Sequence, residues 1–279
     1  MPGGVLYVVA TPIGNLEDVT LRALRVLAEV DLVAAEDTRR TRVLLARHGI
    51  QKPLTSYHDA VERERAPRIV ERLRAGASVA LVSDAGTPGI ADPGYHLVRG
   101  ALAAGIPVVP IPGPSAVAAL VSVAGLPADR FVFEGFLPTR SGPRAERLRA
   151  LAAEPRALVF YEAARRLPAF LSAAEAALGD REAVIARELT KLHEELLRGR
   201  LSVLAAEVAA RPALRGEVTV LVAGAGAGAP VAAAVDLDGR IAAARAAGLG
   251  VRELSASLAA ETGLPRREIY QRALALERR

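Results

Sequence analysis

Along this chain, short β-branched apolar runs alternate with stretches of helical spacing. Val5–Ala10 is a continuous apolar run closed by Thr11-Pro12-Ile13-Gly14-Asn15, which predicts a buried strand and a turn. Leu21, Leu24 and Leu27 recur every third residue and predict a helix over Thr20–Val30. The same reading gives strands at Leu32–Ala35, Val79–Ser83 and Pro107–Ile111. Helices fall at Thr38–Arg47, Glu62–Arg74 and Tyr95–Ala104, with another opening at Ser115. Such βαβα order argues for a mostly parallel sheet covered by helices. A second unit has strands at Phe131–Glu134, Ala157–Glu162, Ala183–Glu188 and Val218–Ala223, and helices at Arg144–Ala153, Ala164–Leu178 and Leu201–Ala210. The boundary lies between 112 and 130. The division taken is 1–114 for the first α/β domain, 115–224 for the second, 225–235 for a Gly/Ala linker and 236–279 for a helical tail. Within the tail, Leu254–Thr262, a turn at Gly263-Leu264-Pro265 and Arg266–Leu276 read as a helix–turn–helix pair.

Composition narrows the chemistry. A hydrophobic share of 51% in 279 residues supplies real cores and excludes global disorder. The absence of Cys removes disulfides, thiolate metal sites and Cys nucleophiles, and four scattered histidines do not suggest a metal centre. The longest apolar stretch, Ser115–Leu126, falls short of the roughly 20 residues that cross a bilayer. The N-terminus lacks a signal-like pattern, so a cytoplasmic protein without membrane attachment is expected. All but two of the 36 basic residues are Arg (the exceptions are Lys52 and Lys191), yet the net charge is only +5. An anionic partner such as RNA is permitted by this balance, not required.

Three Gly/Pro loops stand where strands of the first unit end: 11–18, 83–94 and 112–116. Ligands of open α/β sheets sit beyond the carboxyl ends of the strands, so the three loops predict one shared pocket. Ser115 opens a helix, where free N–H groups can receive an anionic group. Asp84 follows an apolar strand directly and is placed to meet a cationic part of a ligand. The Gly-x-Gly-x-Gly run after Gly224 has the wrong spacing for a dinucleotide loop and reads as a linker.

Several long strings then converge on one family. Val-Ser-Asp-Ala-Gly-Thr-Pro-Gly-Ile-Ala-Asp-Pro-Gly-Tyr (82–95), Ala-Thr-Pro-Ile-Gly-Asn-Leu-Glu-Asp (10–18) and Pro-Gly-Pro-Ser-Ala (112–116) resemble the tetrapyrrole methylase superfamily. Ala-Glu-Asp-Thr-Arg (35–39), Arg-Phe-Val-Phe-Glu-Gly-Phe-Leu-Pro (130–138), Phe-Tyr-Glu-Ala-Ala-Arg-Arg-Leu (160–167) and Ala-Arg-Glu-Leu-Thr-Lys-Leu-His-Glu-Glu (186–195) are similar to its bacterial branch of 16S ribosomal RNA ribose 2′-O-methyltransferases. The resemblance implies two α/β domains with S-adenosylmethionine in the cleft between them, a homodimer, and a decoding-centre cytidine of the small ribosomal subunit as acceptor. It further implies that Pro12, Ile13, Gly14, Asp84, Gly86, Thr87, Ser115, Ala116, Tyr161, Leu189 and Glu217 bind the cofactor. One departure stands out: the family often carries Ser-Tyr-His-x-His-Asn-Glu, whereas here Ser56-Tyr57-His58-Asp59 continues as Ala60-Val61-Glu62.

Methyl transfer from a sulfonium needs alignment above all, and an acceptor for the hydroxyl proton helps. Asp37, Glu162 and Glu188 are the candidate bases, and each equally suits a salt bridge or a helix cap. Arg39, Arg165 and Lys191 are candidates for holding phosphates or orienting the acceptor. In the tail, Arg252, Arg266, Arg267, Tyr270 and Arg272 are candidates for RNA contact, against a plain helical cap. Two further readings stay open. One is a methyltransferase acting on a tetrapyrrole or other small molecule, and the other is a non-catalytic RNA-binding protein. No metal is expected.

Overall fold

The computed structural model describes residues 4–212, 214–226, 237–262 and 266–277. The first sheet contains β1 (Leu6–Val9), β2 (Leu32–Ala35), β3 (Leu54–Ser56), β4 (Val79–Val82) and β5 (Val108–Ile111). Its order is β3-β2-β4-β1-β5 and every pairing is parallel. All four residues of β2 and of β4 are buried, because helices cover both faces. On one face, α3 (Glu62–Arg74) and α4 (Tyr95–Ala103) bury Ile69, Val70, Leu73 and Leu97 against Leu6, Leu32 and Leu81. On the other, α1 (Leu21–Glu29) buries Ala23, Val26 and Leu27 against Val9, Val33 and Val82, while α2 (Thr38–Arg47) adds Leu45. The Thr20 hydroxyl starts α1 by accepting from the Ala23 N–H at 3.1 Å, and the Asp37 carboxylate caps α2 in the same way through the Arg39 N–H at 2.8 Å.

A second sheet follows α5 (Ala116–Val123): β6 (Phe131–Phe136), β7 (Ala157–Ala163), β8 (Glu182–Arg187), β9 (Glu195–Arg200) and β10 (Glu217–Val222). Its order is β6-β7-β10-β8-β9, and only the β6–β7 pair is parallel. Helices α6 (Ser141–Ala150), α7 (Leu167–Leu178) and α8 (Leu201–Ala209) cover one face, where Phe160 meets Phe170 edge-on at 5.2 Å. The other face takes α5: Val117 and Leu120 lie on Val159, Val184 and Leu221. Helix α5 therefore belongs by packing to the second sheet, and the chain passes between lobes in the turn before Ser115.

The tail forms a separate cluster of α9 (Leu237–Ala246), α10 (Val251–Thr262) and α11 (Arg266–Glu277) around Ile241, Leu254, Leu258 and Ile269. The turn expected at Gly263-Leu264-Pro265 and most of the Gly/Ala linker lie outside the described residues. Two strands escaped the hydrophobic pattern. Strand β3 is three residues long, and β9 is an edge strand whose Glu195, Arg198 and Arg200 hide its apolar alternation. Helix α6 starts three residues earlier than its pattern suggested, since Pro143 fits a first helical turn.

Candidate functional site

Strand order creates the site. Strands β4, β1 and β5 are adjacent and parallel, so the loops after them leave the same sheet edge side by side. Thr11 and Gly86 exchange backbone hydrogen bonds at 2.8 and 3.0 Å, tying the first loop to the second. The third loop lies on the first so closely that a Cβ on Gly113 would sit 2.9 Å from that of Ala10. Gly86 adopts φ +78, a conformation that glycine takes without penalty. The three turns thus converge, and the second lobe stands opposite them.

Between the lobes lies a cavity. Ile13, Gly86, Thr87, Ile90 and Asp92 line it from the first lobe, and Ser115 and Ala116 from the start of α5. Tyr161, Leu189, Lys191, Glu217 and Thr219 close it from the second. Tyr161 is held edge-on to Phe133 (5.0 Å) and tilted against Phe136 (5.6 Å). Burial pushes its phenol up to about 12, so it is a neutral wall. A second recess shares Ile13, Ala85, Lys191 and Glu217 with the cavity and adds Pro12, Gly14, Leu16, Arg40, Thr41, Ser83 and Asp84. Eight of the eleven residues expected at the cofactor are therefore gathered in the cavity, whereas Pro12, Gly14 and Asp84 face the adjoining recess.

Lys191 stands at the junction of the two spaces. Its Nζ reaches Glu188 Oε1 at 2.8 Å and Glu217 Oε2 at 3.1 Å. Burial opposes the Lys191 charge, but these two hydrogen bonds outweigh it and raise the pKa. Burial likewise disfavours the Glu188 carboxylate, yet the Lys191 ammonium and the Glu217 N–H at 2.9 Å hold it below its ordinary value. The loop carrying Lys191 also touches the first lobe: the Asn15 N–H donates to Thr190 Oγ1 at 3.0 Å. Glu188 (φ 52) and Thr190 (φ 64) take left-handed conformations that cost non-glycine residues energy, so surrounding contacts hold this loop in shape.

Two expected bases are relocated. Strand alternation puts Glu162 on the same face of β7 as Leu158 and Phe160, toward α7 and away from Tyr161. Its carboxylate is fully buried and ion-paired to Arg166 at 3.0 Å, so although Glu162 borders the cavity its acid faces the core. Asp37 caps α2 and pairs with Arg39 at 2.8 Å, outside the walls of both spaces. Hydrogen bonds from Arg39 lower its pKa to about 2, which makes it a poor proton acceptor. Arg39 is committed to that pair, and Arg165 is exposed beside α7. In the tail, Arg252 and Arg267 are exposed and Tyr270 is half-buried. Arg266 donates to the Arg252 carbonyl at 3.4 Å, and Arg272 forms a two-point pair with Asp238 at 2.6 and 2.7 Å.

Asp92 escaped the sequence reading. It lies eight residues beyond Asp84 in the same loop, and only the folded turn brings it back to the wall. Burial, then the carboxylate of Glu36, raises its pKa to about 7. Among the described residues, no group of three or more His, Cys, Asp or Glu is placed to hold a metal ion, and no helix is long and apolar enough to cross a membrane.

Comparison with known proteins gives a consistent picture. The family profile described as Tetrapyrrole (Corrin/Porphyrin) Methylases matches residues 5–205. A protein of Mesorhizobium japonicum named Ribosomal RNA small subunit methyltransferase I is 48% identical over 273 residues, covering 98% of this chain and 92% of its own. The protein of that name from Pseudomonas aeruginosa is 54% identical over 226 residues, 80% of each chain. Among solved structures, the methyltransferase CobJ aligns with TM-score 0.61 at 23% identity, covering 80% of this chain and 95% of its own. A uroporphyrin-III C-methyltransferase from Thermus thermophilus, complexed with S-adenyl homocysteine, aligns with TM-score 0.55 at 22% identity, covering 78% of this chain and 97% of its own. These two structures share the fold.

Proposed function

The chain belongs to the tetrapyrrole methylase family, and from that premise we propose that it methylates small-subunit ribosomal RNA with S-adenosylmethionine as donor. The acceptor is the 2′-hydroxyl of the decoding-centre cytidine at position 1402 of that RNA. The observation that carries this reading is the agreement between near-complete coverage by a small-subunit methyltransferase, tail included, and a cavity between the lobes lined by both.

The walls fit the donor. Gly86 and Ala116 leave room for close approach to backbone, and Ser115 offers a hydroxyl at a helix start. Glu188 and Glu217 outnumber Lys191, which suits a ligand carrying positive charge. Gly86, Thr87, Ser115 and Ala116 hold it from below, and Tyr161 and Leu189 cover it. Bound there, it supplies an electrophilic methyl carbon on a sulfonium. The chain's own task is to align the acceptor and exclude water. The adjoining recess, with Arg40 and Lys191 on its wall, is the entry for the RNA ribose and its phosphates. Arg252, Arg266 and Arg267 of the tail add phosphate contacts. The enzyme works as a homodimer in the cytoplasm.

Purified protein with methyl-labelled donor tests this reading. Undermethylated small subunits and a precorrin-type tetrapyrrole are offered in parallel. Label is expected in the RNA, on a ribose. Label on the tetrapyrrole, or on a nucleobase, overturns the assignment.

A further inference from the structure

Each carboxylate near the crevice can be sorted by what neutralises it. Glu188 and Glu217 share Lys191, Glu162 is paired with Arg166, Asp84 with Arg40 at 3.4 Å and Asp37 with Arg39. Among the described residues, Asp92 is the cavity-wall carboxylate with no Lys, Arg or His nitrogen within 4.0 Å. It is also held in place. Ala91 before it is fixed at φ 60, and Pro93 after it is buried.

We propose that Asp92 is the residue that takes the proton from the acceptor hydroxyl. This rests on the methyltransferase reading above and names a catalytic residue within it. As the acceptor oxygen bonds to the methyl carbon, the carbon–sulfur pair stays on sulfur and the hydroxyl proton passes to the Asp92 carboxylate. Water then takes the proton from the acid and resets the site. The surroundings fit that task. Glu36 at the end of β2, Asp59 after β3 and Asp84 after β4 press on Asp92 from the first lobe, and the neutral Tyr161 faces it from the second. Burial and these like charges bring its pKa to about 7, where an acceptor is both ionised and basic near neutral pH.

The test uses the full chain with undermethylated small subunits under single-turnover conditions, together with calorimetric titration of S-adenosylmethionine and S-adenosylhomocysteine. Asp92→Asn is expected to bind both within about threefold of wild type, since it keeps shape and loses only the base. Its transfer rate should fall about a hundredfold or more. The wild-type rate should climb about tenfold per pH unit below pH 7 and then level, and the variant should lose that limb. Asp92→Glu should recover part of the rate and the slope. A variant with turnover within about threefold of wild type overturns the assignment. So does one that loses only S-adenosylmethionine affinity, because Asp92 would then be a counter-charge. If Asp92→Asn does not fold, a wild-type rate flat from pH 5 to 7 is equally fatal. Wild type that binds neither compound and labels no RNA removes the function itself. Wild type that does both beside an active Asp92→Asn removes Asp92 alone.

Discussion

Gly14→Ala probes the contact between lobes with a single methyl group. A Cβ at residue 14 would lie 2.4 Å from Lys191 Cγ, and 2.9 Å from both the Leu189 carbonyl oxygen and Thr190 Oγ1. Contacts under 3.0 Å are closer than real Cβ atoms make, so something must shift. The Lys191 stem can swing, but that pulls Nζ from Glu188 and Glu217; the Leu189 carbonyl is backbone and cannot swing. Residue 14 does not have a positive φ, so the cost arises from crowding and not from backbone strain. Overpacking of this kind costs about 1–3 kcal/mol. At about 2–4 °C per kcal/mol, the melting temperature should fall by roughly 2–12 °C. Gly142→Ala is the control: nothing lies within 4 Å of its added methyl in α6, and stability should hold or rise slightly. Differential scanning calorimetry of both variants decides the matter. A Gly14→Ala protein melting within about 1 °C of wild type would refute the contact between loops 11–18 and 188–194.

Asp92→Asn should also stabilise the protein in a pH-dependent way. Because the folded pKa of Asp92, about 7, lies above the ordinary aspartate value of 3.8, its stabilising share is complete below pH 4 and is lost as pH rises through 7. The full difference is about 4 kcal/mol, which partial exposure cuts to about half. Melting curves of variant and wild type should therefore separate between pH 4 and 8, and parallel curves contradict the burial of this acid. Arg166→Met should cost about 3–5 kcal/mol by stranding the buried Glu162 charge. Glu162→Gln should keep turnover within about threefold, and a hundredfold loss would contradict its placement on the α7 face. Lys191→Met should destabilise by about 1–3 kcal/mol at pH 7, with the loss shrinking in acid as the Glu188 carboxylate, held below its ordinary value, protonates; chemical denaturation at neutral and acid pH measures it. Deleting 236–279 should weaken binding to small subunits while S-adenosylhomocysteine titrates normally; unchanged subunit affinity in a filter assay would remove the tail from RNA capture.

How much of this was legible in the chain varies by scale. The parallel first sheet follows from Val5–Ala10, Leu32–Ala35, Val79–Ser83 and Pro107–Ile111, because fully buried strands read as unbroken apolar runs. The meeting of loops 11–18, 83–94 and 112–116 was legible too, since neighbouring parallel strands end on one edge. The insertion of β10 between β7 and β8 was not, because long-range pairing leaves no local pattern. Site chemistry followed the same rule. Ser115, Gly86 and Tyr161 were marked by local strings, and the cavity contains them. For Asp37 and Glu162 the sequence leaves base, cap and salt bridge equally open, because strand ends and helix starts look alike whether an acid faces a crevice, a cap or a core. Asp92 was passed over because its position depends on turns at Gly86, Gly89 and Ala91, whose positive φ values are properties of the folded loop.

A crystal structure grown with S-adenosylhomocysteine tests the central claim most directly. Its density should lie between the two lobes, bordered by Gly86, Thr87 and Ser115 on one side and Tyr161 and Leu189 on the other. Density in the groove between α3 and α4, on the tail, or nowhere while the crevice stays filled with water would contradict the account.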